Sequence, residues 1–160
     1  MRISSIDLAM TTIFAALYAI GVIVLAPISF GIYQVRVADA LLPLAIILGV
    51  PVALGTSLGC VIANIYGGLG LIDIIGGAIA NFLACLLAAY IGGESFTKRI
   101  VGCLVETLTI TVIVGGYLSV IFNVPVETGV IGVLVGSIIS INILGFTILE
   151  VLLRGNIVRK

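Results

Sequence analysis

The feature that most constrains this chain is a succession of long apolar runs separated by short polar joints. The runs are Leu8 to Ala26, Ala40 to Tyr66, Ile72 to Ile91, Ile100 to Phe122 and Thr128 to Leu153. A helix needs about 20 apolar residues to cross the hydrocarbon core of a bilayer. Charged residues make up only 9% of the chain and hydrophobic ones 62%, whereas soluble domains carry about a quarter charged residues. A globule of 160 residues exposes too much surface to hide that much apolar area from water. The expectation is one all-α membrane domain over residues 1–160.

The run from Ala40 to Tyr66 contains Pro51, preceded by Gly49. Proline disrupts a helix and restricts the residue before it. Read as a break, it gives six helices, near 8–27, 39–49, 52–66, 72–92, 100–122 and 128–153. Cytoplasmic joints of membrane proteins are enriched in Lys and Arg. With six crossings, Arg2, Lys98, Arg99, Arg154, Arg159 and Lys160 all fall on one face, and both termini are cytoplasmic. With five crossings these residues are split between the faces. Residues 8–26 are longer than a signal-peptide core and Arg36 precedes the Ala38-Asp39-Ala40 step, so no cleavage is expected there.

Several classes of function are disfavoured. The net charge is zero, which gives no electrostatic footprint for nucleic acid. Histidine is absent, which removes the commonest general base and metal ligand. The three cysteines, Cys60, Cys85 and Cys103, are widely spaced in apolar runs and read as small buried hydrophobes. No catalytic residue, metal or cofactor is expected.

Small residues four apart let membrane helices approach closely. Such lines occur at Gly55, Gly59, Ala63 and Gly67, at Gly76, Ala80, Ala84 and Ala88, at Gly132, Gly136 and Ser140, and at Ala15 and Ala19. Six crossings also place the remaining polar residues near the external face: Tyr33, Gln34, Arg36, Asp39, Asn64, Tyr66, Asp73, Tyr117, Asn123 and Glu127. Tyr33, Gln34, Arg36 and Asp39 offer an aromatic ring, an amide, a planar donor fork and an acceptor, the groups that hold a flat polar heterocycle. A surface ion pair between Arg36 and Asp39 is the plainer reading. Asp73 suits a helix cap or a ligand carboxylate. Glu150 is expected to pair with Arg154, Asn81 and Asn142 to bond between helices, and Glu106 to bond to another helix or couple to a partner.

Two segments carry a resemblance to a known family. The first is Ala26-Pro27-Ile28-Ser29-Phe30-Gly31 followed by Gln34-Val35-Arg36-Val37-Ala38-Asp39. The second is Gly59 to Asn64 running into Gly70-Leu71-Ile72-Asp73. With the alanine pair Ala15 and Ala19, they resemble the QueT group of S components, the substrate-binding subunits of energy-coupling factor (ECF) importers. The resemblance implies an outward-opening pocket for a queuosine precursor, a 7-deazaguanine base, with Tyr33 or Tyr66 stacking on the ring. It implies a role for Ala15 and Ala19 in docking a transmembrane coupling protein. The chain has no P-loop, so two partner ATPases would supply the energy at the cell membrane. The alternatives are an S component for another vitamin or heterocycle, and a membrane assembly subunit without transport.

Overall fold

A computed structural model describes residues 4–155, so Arg2, Arg159 and Lys160 of the charge pattern lie outside the described residues. The chain is all-helical where described. Its helices are α1 (Ser5–Val24), the short α2 (Ala26–Ser29) and α3 (Ala45–Leu48), α4 (Val50–Gly67), α5 (Leu71–Ile91), α6 (Phe96–Ile121), α7 (Val126–Ser137) and α8 (Phe146–Arg154). A 3-10 helix, Val37–Leu44, precedes α3, and a π-helical stretch, Ile138–Gly145, joins α7 to α8. Five helices are long and apolar enough to cross a membrane: α1, α4, α5, α6 and the continuous rod Val126–Arg154.

Burial is sorted for lipid. Large apolar side chains such as Leu17, Ile20, Leu58, Ile62, Ile79, Leu108 and Ile143 are exposed, whereas Ala53, Ala63, Ala80, Ala84, Ala88, Thr56 and Ser140 are fully buried. Lipid tails remove the hydrophobic drive between helices, so close packing of small residues takes over. A Cβ on Gly55 would lie 2.6 Å from Phe14 Cβ, and one on Gly59 would lie 2.6 Å from the Ala15 carbonyl oxygen. Position rises along both helices together, so α1 and α4 run parallel. By the same reading α4 and α5 are antiparallel, because Asn64 Nδ2 donates to the Asp73 carbonyl (2.7 Å) and Asn81 Nδ2 to the Thr56 carbonyl (3.3 Å).

Parallel α1 and α4 require the chain between them to travel back along the bundle. It does so without a regular helix. Residues 30–36 form neither helix nor strand and bend over residues 30–33, Gly31 having φ +151. Val37–Leu44 then winds as a 3-10 helix with Pro43 inside it, and Ala45–Leu48 makes one α-turn. Expected as a helix over 39–49, this segment is therefore short and irregular. Its 3-10 and α portions reach about 22 Å at about 2.0 and 1.5 Å per residue. Such backbone is tolerated at membrane depth only when protein surrounds it. Here Ala38, Asp39, Ala40, Leu42, Pro43 and Leu44 are all buried. Gly132 faces the Ile32 carbonyl and Gly136 the Gln34 carbonyl, while a Cβ on Gly145 would sit 2.9 Å from the Ala40 carbonyl oxygen. The glycines of the last rod thus form the wall along which the irregular segment lies.

The break before α4 falls at Gly49, whose φ of 72 is costly for any residue with a Cβ. Pro51 sits in the first turn of α4, where the missing N–H costs no helical bond. At the opposite end, Gly68 caps α4 in the left-handed conformation, φ 71. Lys98 and Arg99 begin α6 and Arg154 ends α8, so these cations share one end of the bundle. Glu150 pairs with Arg99 across the bundle, 2.5 Å, rather than with Arg154 on its own helix.

Gly59→Val should overpack the α1–α4 contact and destabilise the bundle by about 1–3 kcal/mol. Gly116→Ala, where a Cβ meets nothing within 4 Å, should be neutral or stabilising because alanine is the better helix former. Thermal unfolding of the two variants in detergent checks both expectations.

Candidate functional site

The irregular segment carries three polar side chains into the bundle: Gln34, Arg36 and Asp39 are 4%, 5% and 4% exposed. An ionisable group held at membrane depth is expensive and marks a functional site by default. Arg36 leaves the backbone just before the 3-10 helix. Its Nε donates to the Gln34 Oε1 (3.1 Å) and to the Ser29 carbonyl (3.3 Å), and its Nη1 reaches Cys60 Sγ at 3.7 Å. The guanidinium carbon also lies 5.5 Å from the Phe30 ring centroid, within cation–π range.

The ion partner of Arg36 is not Asp39 but Asp73, on the first turn of α5, with Nη2 to Oδ1 at 3.6 Å. Asp73 is fully buried and does not cap its helix; its Oδ1 also accepts from Tyr117 OH at 2.9 Å. Asp39 instead accepts from Tyr18 OH, 2.6 Å, through Oδ1. The surface ion pair is therefore replaced by two buried carboxylates, each held by a tyrosine from a different helix.

Gln34, Arg36, Asp39, Asn81, Ile110, Val114, Val133, Gly136 and Ser137 line a cavity of about 10 Å³, close to the minimum that admits one water. It has polar groups on the side of the irregular segment and α5, an apolar wall from α6, and Val133, Gly136 and Ser137 from α7. Three polar atoms nearby have no hydrogen-bond partner: Arg36 Nη2, Asn64 Oδ1 and Asp73 Oδ2. Orphaned buried polar atoms are rare in stable folds and call for an explanation.

The fold thus gathers Gln34, Arg36, Asp39, Asn64 and Asp73 from the sequence-derived set. It separates Tyr33 and Tyr66 from them, at 72% and 63% exposed. Besides Phe30, the aromatic groups at the cluster are Tyr18 and Tyr117. Both sit in apolar helices where spacing shows only a core-like residue, and only contact with a carboxylate on another element reveals their role. Asn81 was legible as interhelical glue and proves also to line the cavity.

The alanine pair lies on α1 at its contact with α4. Ala19 is 6% exposed, and Ala15 lies with its backbone against the glycines of α4. Ala15 is half-buried, whereas Ala19 is enclosed within the bundle. Asn142 donates to Thr107 Oγ1 at 2.5 Å, the bond between helices expected of it. Glu106 is fully buried with neither oxygen hydrogen-bonded, and it does not line the cavity. No cluster of metal-ligating side chains occurs among the described residues.

The model of the QueT transporter family matches residues 8–154. The chain belongs to the QueT transporter family. QueT proteins are S components of ECF transporters, so this member is a membrane transport component and not one of an enzyme family. No curated protein and no solved structure matches the chain. The QueT match extends through α6 and the last rod, well past the two segments that carry the resemblance in sequence.

Arg36→Met should leave Asp73 buried without a counter-charge and destabilise the protein by about 3–5 kcal/mol. Adding Asp73→Asn should restore part of that loss. Thermal unfolding of the two single variants and the double variant reads the coupling directly.

Proposed function

We propose that this QueT member is the capture subunit of an ECF importer for a queuosine precursor, a 7-deazaguanine base. The observation that carries the proposal is the enclosed cavity beside a broken transmembrane segment, where amide, guanidinium and carboxylate groups converge. Transporter sites recur where membrane helices are discontinuous, because only there can backbone and side chains face a ligand at depth. The edge of a guanine-like base presents N–H donors beside a carbonyl. Asp39, the carboxylate that lines the cavity, suits the donors; Arg36 or Gln34 suits the carbonyl.

The topology proposed with it has six crossings, the irregular segment 30–48 being the second, and both termini cytoplasmic in the cell membrane. Parallel packing of α1 with α4 and the shared end of Lys98, Arg99 and Arg154 support that count. A transmembrane coupling protein and two ATPases would provide the energy. The coupling protein would dock on the face of α1 that carries Ala15 and Ala19, of which Ala15 is half-buried and Ala19 buried.

The purified chain should bind a 7-deazaguanine base in calorimetry. Gln34→Ala and Asn81→Ala should each weaken binding about 10-fold, the worth of one hydrogen bond near 1.4 kcal/mol. Displacement by an unrelated heterocycle, with no effect of 7-deazaguanines, would overturn the substrate assignment. The topology has its own test. In a chain with Cys60, Cys85 and Cys103 replaced, Tyr33→Cys should react with an impermeant thiol reagent from outside, and Lys98→Cys only after the membrane is opened. Reaction of both from the same side would sink the six-crossing arrangement.

A further inference from the structure

One buried carboxyl has no task in the packing or in the cavity. Glu106 is 0% exposed, and neither of its oxygens has a hydrogen-bond partner. It stands about 15 Å from the start of α6 at about 1.5 Å per residue, near the middle of a helix long and apolar enough to cross a membrane. No cation reaches it. Among the described residues the ion pairs are Arg36 with Asp73 and Arg99 with Glu150. The titratable groups that face Glu106 are Cys85 from α5, Cys103 from its own helix and Asp39 from the irregular segment. None of these is positive, and no charged group from α4 or the last rod faces it. An isolated carboxylate taken out of water is too costly to stay charged and unpartnered.

Whatever neutralises Glu106 must be positive and must need almost no room. Glu106 lines none of the described cavities, and no metal-ligating cluster occurs among the described residues. A metal ion needs several ligands around it, and a partner protein cannot reach an enclosed side chain. A proton meets both conditions. We propose that Glu106 is a proton-binding site of the closed bundle. An O–H bond forms on one carboxylate oxygen with a proton from water, and the proton returns to water when the surrounding layer opens. Glu106 lies one turn from Ile110 on α6, and Cys85 lies one turn from Asn81 on α5; Ile110 and Asn81 both line the cavity, and residues four apart share a helix face. The proton site is therefore the layer next to the cavity, on the side of the basic end. Wetting of that layer would free the proton, so proton occupancy follows whether the bundle is closed. The proposal depends on no assignment of the cavity's ligand.

Thermal unfolding of the purified full chain in detergent, from about pH 5 to about pH 8, tests the site in a window where histidine is the side chain that ordinarily titrates; this chain has none. An unfolded glutamate titrates near pH 4.3, roughly, and is ionised above it. The closed bundle then holds a proton that the unfolded chain does not, so stability falls as pH rises, by up to about tenfold in the folding equilibrium per pH unit. The Tm of the unaltered chain should drop across the window. Glu106→Gln keeps the shape and has no proton to lose, so its profile should be flatter and its Tm should be the higher of the two at the alkaline end. A level profile in the unaltered chain, or an equal slope in Glu106→Gln, overturns the proposal. Recovery of Tm at the alkaline end by sodium chloride but not by choline chloride also overturns it, since the occupant is then a metal ion. Should Glu106→Gln fail to fold, infrared spectroscopy at neutral pH decides, on Asp39→Asn so that the neighbouring acid adds nothing. The carbonyl band of a protonated carboxyl upholds the site, and its absence overturns it.

Discussion

Every backbone N–H and C=O in the hydrocarbon region must find a partner inside the protein, and this constraint orders the whole molecule. Five rods meet it by being helical. The segment between α1 and α4 does not, and it is stable only because other elements wrap it. The wrapping depends on glycine. Gly55 and Gly59 let α1 and α4 close against one another side by side, while Gly132, Gly136 and Gly145 let the last rod touch the irregular backbone directly. Replacing those hydrogens by larger groups would open a gap that lipid cannot fill with hydrogen bonds.

The same arrangement gathers a buried polar cluster at little additional cost. A regular helix at this place would spend its polar groups on itself and turn a continuous apolar surface to its neighbours. The 3-10 geometry and the irregular stretch before it instead project Gln34, Arg36 and Asp39 inward from adjacent turns. Tyr18, Asp73, Asn81 and Tyr117 then come to meet them from three helices. The orphaned atoms on Arg36, Asn64 and Asp73 mark the cluster as one whose bonding is unfinished within the chain itself. Such a cluster fits the proposed capture role of a member of a family of transport subunits.

Much of this was legible beforehand. The apolar runs declared the solvent, the glycine lines declared which faces pack, and Arg36, Asp39, Asn64 and Asp73 stood out as polar residues with no topological task. The aromatic partners were not legible. Tyr33 and Tyr66 sit beside the polar residues in sequence but point away from them, whereas Tyr18 and Tyr117 lie 21 and 44 residues from the carboxylates they hold. Pairing at that distance has no local signature. Small residues such as Ala15 and Ala19 report that a helix approaches something closely, not whether that is its own chain or another.

The amino-acid sequence by itself determined the membrane as solvent, the all-helical class, the positions of the breaks and the family, because these follow from composition and local spacing. Only the tertiary structure decided that the second segment is an irregular strap, that Arg36 pairs with Asp73 and not with Asp39, and that Asp39 is left facing the cavity. Those outcomes depend on which helices lie side by side. That choice is made by close packing of small residues across the bundle, which no stretch of chain encodes alone.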